Sequence, residues 1–179
     1  GMNDVNRNLY GAKTTTSLDT LQKREAAIAK YKVQLDSIVR LFLSKNIRVI
    51  LQKPTIYDQM AVLNTPNHFG VNDALKQCAD YVQQLADKYQ LLTVDYWTIL
   101  QTVNTQLQAK NPSATIVSQD RVHPGAAGHF VMAYQFLKTT QVPKDVSLIH
   151  VAKTLGETQR LSQNCSIQSF SVKSGVCKM

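Results

Sequence analysis

Apolar and polar positions along the chain alternate in long-period and short-period blocks. Ile28, Tyr31, Leu35, Ile38 and Phe42 recur at 3-4-3-4 spacing, which puts them on one face of a helix. A polar stretch over residues 12–17 leads into that helix, with Thr16 or Asp19 as candidate caps, and Lys45-Asn46 ends it. Residues 47–52 (Ile-Arg-Val-Ile-Leu-Gln) are rich in β-branched side chains and predict a short strand, stopped by Lys53-Pro54. A loop rich in turn residues runs to Gly70. The next helix spans residues 72–89 with Leu75, Cys78, Val82 and Leu85 inward, followed by a strand over 91–94 that ends at Asp95. Helices over 98–110 and 126–139 complete this pattern. Beyond Val142-Pro143 the character changes. Residues 146–152 predict one strand, and the Ser- and Gln-rich remainder predicts loops with one or two weak strands.

Helices alternating with nearly continuous apolar strands imply an α/β fold with parallel strands, crossover helices and a sheet covered on both faces. Two strands are too few for such a sheet, so further strands are expected from upstream sequence or from another chain. The division expected is a main domain over residues 1–143 and an appended segment over 144–179.

Composition narrows the function classes. With 179 residues and 44% hydrophobic content, the chain has enough material for one cored domain and a small appendage. No uninterrupted apolar run approaches the roughly 20 residues of a membrane span. No basic-plus-apolar leader opens the chain, so an export signal is expected to lie outside it or to have been removed. The net charge is +8, but its 20 Lys and Arg are scattered, with only Lys23-Arg24 adjacent, so a nucleic-acid partner is not expected. Cys78 falls on a helical apolar stripe and reads as core. Cys165 and Cys177 are spaced to close a disulfide loop or are two unrelated thiols; a bridge would place the protein in an oxidising compartment. Four histidines without paired spacing argue against a structural zinc, and the seven glycines form no phosphate-binding loop, so neither metal nor cofactor is expected. His68 reads as a solvated turn residue, His129 as locally hydrogen-bonded in a helix's first turn, and His150 as a strand residue.

The candidate chemistry lies in Ser118-Gln-Asp-Arg-Val-His-Pro-Gly-Ala-Ala-Gly-His-Phe-Val131. Asp120 precedes His123 by three residues, and Pro124 pushes the histidine backbone into an extended or turn conformation ahead of a helix. That spacing lets Asp120 accept from Nδ1 and leaves Nε2 free for a proton. The pattern alone is also what a surface aspartate near a turn histidine gives.

The longer string, running into an apolar helix, resembles the last block of the SGNH, or GDSL-type, serine hydrolases. Gly1-Met2-Asn3-Asp4 resembles their Gly-x-Asn-Asp block. Pro54-Thr-Ile-Tyr-Asp58, Asn72-Asp-Ala-Leu75 and the strand ending at Asp95 are also similar, so the resemblance covers residues 1 to about 142. It implies a partial flavodoxin-like three-layer sandwich, the C-terminal two-thirds of a hydrolase domain with its N-terminal strands missing. It implies His123 as general base, Asp120 as its orienting carboxylate and Asn3 as an oxyanion donor. Gly1 would be a turn residue of the same block, and Asp4 a structural neighbour. The family's Gly-Asp-Ser nucleophile has no match: Asp36-Ser37 falls inside the first helix, and Ser118 lacks the motif. The serine is therefore expected upstream. Asp95 reads as a cap rather than a site residue, and Tyr96-Trp97 as core or cleft lining. The function implied is hydrolysis of short acyl or acetyl esters, including those on carbohydrate, and the Cys165–Cys177 spacing adds the expectation of an extracytoplasmic location. The alternative is an inactive module of the same fold that binds a glycan or protein partner. Unpaired sheet edges predict self-association.

Overall fold

A computed structural model describes residues 1–11, 17–143, 145–154, 157–169, 171–173 and 176–178. Capping by Thr16 falls outside the described residues, as does the Cys177 side chain with its pairing to Cys165. The chain forms two compact units, Gly1–Thr140 and Gln141–Met179.

In the first unit, a one-turn helix α1 (Met2–Val5) and a 3-10 turn (Arg7–Leu9) precede the long helix α2 (Leu18–Ser44). Ser17 caps α2, its Oγ accepting from Thr20 N–H at 3.2 Å. The apolar stripe of α2 departs from the expected one in its second half. Ile28 is buried and Tyr31 and Leu35 are half-buried, but Val39 and Leu43 then turn inward. Ile38 and Phe42 are 49% and 42% exposed. Both stripes fit helical spacing, and the buried one is the one α3 packs against.

Strands β1 (Ile50–Gln52) and β2 (Leu92–Val94) pair in parallel, with Ile50 opposite Leu92 and Gln52 opposite Val94. The strand expected over 47–52 is shorter because β2 offers only those three partners. Alternation along β1 makes the layers. Leu51 packs with Val39, Val82, Leu85 and Ala86 of the α2–α3 layer, α3 being Val71–Tyr89. Ile50 packs against the opposite cluster, where Val94 meets Tyr96 and Leu100 of α4 (Tyr96–Lys110) and Val131 and Phe136 of α5 (Ala126–Thr139). Helices therefore cover both faces of a parallel pair, as the pattern predicts for an α/β fold. The α3 stripe is as expected: Leu75, Cys78, Val82 and Leu85 are each at most 2% exposed. Burial pushes the Cys78 thiol up to about 11, so it stays protonated and behaves as a small core residue.

Gly70, at φ +92°, starts α3 with the Tyr10 ring against it; a Cβ there would lie 3.3 Å from Tyr10 Cδ1 in a backbone region that side chains disfavour. Asp95 caps α4 by accepting from Thr98 N–H at 2.9 Å, and its other oxygen accepts from Lys53 Nζ at 2.7 Å, joining the ends of both strands.

The second unit holds two antiparallel hairpins. β3 (Leu148–Thr154) pairs with β4 (Glu157–Gln163), and β5 (Ser171–Lys173) with β6 (Val176–Lys178). The tail is thus richer in strand than its composition suggested, because backbone pairing across a reversal needs no apolar alternation. No described helix is long and apolar enough to cross a membrane.

The two candidate stripes of α2 are separable by substitution. Val39→Ala is expected to lower stability by about 1.5–3 kcal/mol, and Ile38→Ala to stay within about 0.5 kcal/mol. Urea denaturation checks both, and the reverse order would contradict the observed packing.

Candidate active site

The two sequence-distant motifs meet over one apolar cluster. Val5, Tyr10, Tyr57, Leu75, Cys78 and Val122 pack together, with Val5 fully buried and Val122 9% exposed. Asn3 and Asp4 are carried beside Val5, and Asp120 and His123 beside Val122. Above the cluster lies a cleft of about 640 Å³ whose lining includes Gly1, Asn3, Arg7, Thr55, Asp120 and His123. The structure therefore brings together every candidate site residue read from the sequence.

The loop bearing the dyad is closed on itself. Val117 bridges Pro124, Ser118 N–H donates to His123 O at 2.7 Å, and Gly125 N–H donates to Ile116 O at 3.1 Å. Gly128, in the first turn of α5, allows this closure. A Cβ there would sit 2.7 Å from Ile116 O and 2.8 Å from Pro124 Cβ, so backbone would have to move. This explains the second glycine of the motif.

Within the loop, His123 Nδ1 hydrogen-bonds Asp120 Oδ2. Asp120 Oδ1 accepts from Ser118 Oγ at 2.6 Å, Val122 N–H at 2.9 Å and His123 N–H at 3.0 Å. Desolvation alone would raise the Asp120 carboxyl. The hydrogen bonds from Ser118, His123 and the two backbone N–H groups outweigh it and hold the group far below the ordinary carboxylate range. A charged Asp120 fixes the proton of neutral His123 on Nδ1, leaving Nε2 as the acceptor. The His123 side chain is 79% exposed, so that nitrogen is open to a ligand.

Asn3 is exposed in the cleft wall, and among the described residues its amide makes no side-chain hydrogen bond, so its donors are uncommitted. Gly1 O accepts from Asp4 N–H at 3.0 Å, closing the turn that presents Asn3, and the Asp4 carboxylate hydrogen-bonds the Gly1 amine.

Other candidates separate cleanly. Ser118 supports Asp120 instead of facing His123, and Ser37 Oγ donates to Val33 O at 2.8 Å on the outer face of α2. Asp95 is a cap. Trp97 and Lys76 line a second, smaller cavity of about 290 Å³ whose walls include neither Asp120 nor His123. His68 is not a solvated turn residue: it is half-buried, its Nδ1 2.5 Å from Tyr10 O and its N–H donating to Tyr57 Oη. His129 is exposed, its N–H donating to Gly125 O at 2.9 Å. Sequence reading missed Ser118 as a support, and Arg7 and Thr55 as walls. Their proximity to Asp120, Asn3 and the end of β1 was the available signal.

An exposed Asp–His pair thus shares one cleft with an asparagine on a glycine-led turn, in an α/β fold. The profile of GDSL-like lipase/acylhydrolases matches residues 1–136, and the chain belongs to that family. Among solved structures, a gut microbial diltiazem-metabolizing enzyme is similar at 22% identity and a TM-score of 0.68 over 98% of this chain. An acetylxylan esterase from Geobacillus stearothermophilus is similar at 24% identity and a TM-score of 0.58 over 80% of this chain. The chain spans 39% of the first protein's length and 57% of the second's. No curated protein matches the sequence.

Two outcomes follow from this geometry. The folded Asp120 carboxyl titrates below its unfolded value of about 3.9. Its charge therefore contributes stability that is complete above about pH 5 and is lost as pH falls toward the folded value. Wild type is expected to melt above Asp120→Asn at pH 6, with the gap closing below about pH 3; a pH-independent gap would show that the charge is not responsible. Gly128→Ala is expected to cost about 1–3 kcal/mol by overpacking, measured by thermal unfolding.

Proposed function

We propose that this chain supplies the general base, its orienting carboxylate and one oxyanion donor of a serine-type ester hydrolase. The observation that carries the reading is the cleft itself, where the Asp120–His123 pair and the uncommitted Asn3 amide converge. His123 Nε2 takes the proton of a serine hydroxyl as the oxygen adds to the ester carbonyl carbon. Asn3 Nδ2 donates to the oxyanion that forms, and the imidazolium returns its proton to the departing alcohol. Water, deprotonated by the same nitrogen, then adds to the acyl carbon, and the imidazolium returns that proton to the serine oxygen as the acyl–serine bond breaks and the acid leaves. Among the described residues no hydroxyl bonds His123 Nε2, so the proposal places the serine on a segment preceding Gly1. Short acyl esters, acetyl included, on carbohydrate are the proposed substrates. The cleft's polar walls of Asn3, Asn6, Arg7 and Asn8 suit a hydroxylated scaffold better than a lipid chain.

The unbonded His123 Nε2 also favours a second reading, a binding module that retains the scaffold without turnover. Joining a Gly-Asp-Ser-bearing segment ahead of Gly1 separates the two, with 4-nitrophenyl acetate as substrate. The hydrolase reading expects turnover that falls on the order of 10⁴-fold or more in His123→Ala and about 10²–10³-fold in Asn3→Ala. Turnover indifferent to His123, or none in the joined protein, supports the binding module.

The proposal extends to assembly. Leu41 and Phe42 on α2, and Phe130, Tyr134 and Leu137 on α5, are 42–76% exposed, and among the described residues β1 and β2 pair only with each other. Faces of this size are normally covered, and a second copy is the proposed cover. Light scattering is expected to show dimers or larger species; a monodisperse monomer would refute this.

A further inference from the structure

Between Asp120 and His123 the chain places a charged side chain where core is expected. Arg121 is 3% exposed, and its backbone is left-handed at φ +68°. That conformation turns its side chain inward while Asp120 and His123 face solvent. The guanidinium is enclosed by carbonyls from one segment. Nη1 donates to Asp58 O at 2.9 Å and Ala61 O at 3.0 Å, and Nη2 to Thr65 O at 3.1 Å and Leu63 O at 3.4 Å. Backbone bonds run beside these, with Asp58 N–H donating to Arg121 O and Arg121 N–H to Ser118 O, both at 2.9 Å. Thr65 Oγ1 adds a bond to Gln119 O at 2.7 Å.

The carbonyl-bearing segment is itself braced. Asp58, 2% exposed, accepts from Met60 and Ala61 N–H, from Gln108 Nε2 of α4 and from Thr115 Oγ1. Burial opposes its charge, but the Thr115 and Gln108 bonds with the Ala61 N–H hold the carboxyl below its ordinary range. Among the described residues Arg121 forms no ion pair with a carboxylate, and its Nε has no partner. An apolar side chain would fill the same space without a buried charge or an orphaned donor. What only the planar five-donor fork achieves is to gather four carbonyls onto one rigid group beneath a left-handed turn.

We propose that Arg121 is a positioning residue for His123: by clamping the 58–65 segment it fixes the turn that holds the Asp120–His123 hydrogen bond in place. The inference rests on the reading of His123 as the base, yet its test needs no turnover. In the ¹⁵N-labelled chain, the ring nitrogens of His123 report the tautomer. Wild type is expected to show Nδ1 protonated and Nε2 bare. Arg121→Lys keeps the charge but loses the fork, and its His123 nitrogens are expected to move toward values averaged between the two tautomers. Thr65→Val removes only the bond to Gln119 and is expected to shift them the same way by a smaller amount, with the fold retained by circular dichroism. If Arg121→Lys folds with a lowered melting temperature and unmoved His123 nitrogens, Arg121 merely packs and the proposal fails. If that variant does not fold, Thr65→Val with wild-type nitrogens overturns it alone. Failure of ester hydrolysis would remove the hydrolase reading while leaving these shifts intact.

Discussion

The cleft exists because Val5 and Val122 are buried in one apolar cluster. Most residues that line it come from two stretches, 1–8 and 120–124, more than a hundred residues apart, and among the described residues no ion pair joins them. Packing against Tyr57, Leu75 and Cys78 holds both ends at once, so the cluster sets the distance between Asn3 and His123. Close packing makes that distance stiff, since interiors resist the loss or gain of even a methyl group. Helices α2 and α3 matter to the site chiefly through Ile28, Val71 and Leu75, which complete this cluster.

Polar groups divide between two environments. Asp120 and His123 sit outside, where exposure keeps Nε2 available. Asp58 and Arg121 sit inside, where a low dielectric strengthens each satisfied hydrogen bond and makes each unsatisfied one expensive. The buried frame is consequently rigid and the exposed pair is mounted on it. Thr55, just beyond the carboxyl end of β1, places the cleft where ligands commonly bind in open α/β sheets, outside the carboxyl ends of the strands. The sheet is small: two strands of three residues carry two helical layers, and the outer faces of α2 and α5 remain apolar and exposed.

Local patterns were legible wherever short-range chemistry decides. The stripe of Leu75, Cys78, Val82 and Leu85 named its own buried face, and Asp-x-x-His before a proline and two glycines named both members of the dyad. On α2 the same reasoning gave Ile38 and Phe42 where the fold buries Val39 and half-buries Leu43. Helical periodicity marks a broad apolar stripe, and the partner's position selects the part of it that is covered. The tail's hairpins were under-read because backbone ladders leave little trace in a Ser- and Gln-rich sequence.

By itself the sequence determined the main helices and strands of the first unit, the parallel α/β class and the pairing of Asp120 with His123, since these depend on side chains a few residues apart. Only the tertiary structure decided that Asn3 shares a cleft with His123 and that Arg121 points into the core. Each of those depends on contacts between distant segments or on one left-handed backbone angle, and neither leaves a periodic mark in the chain.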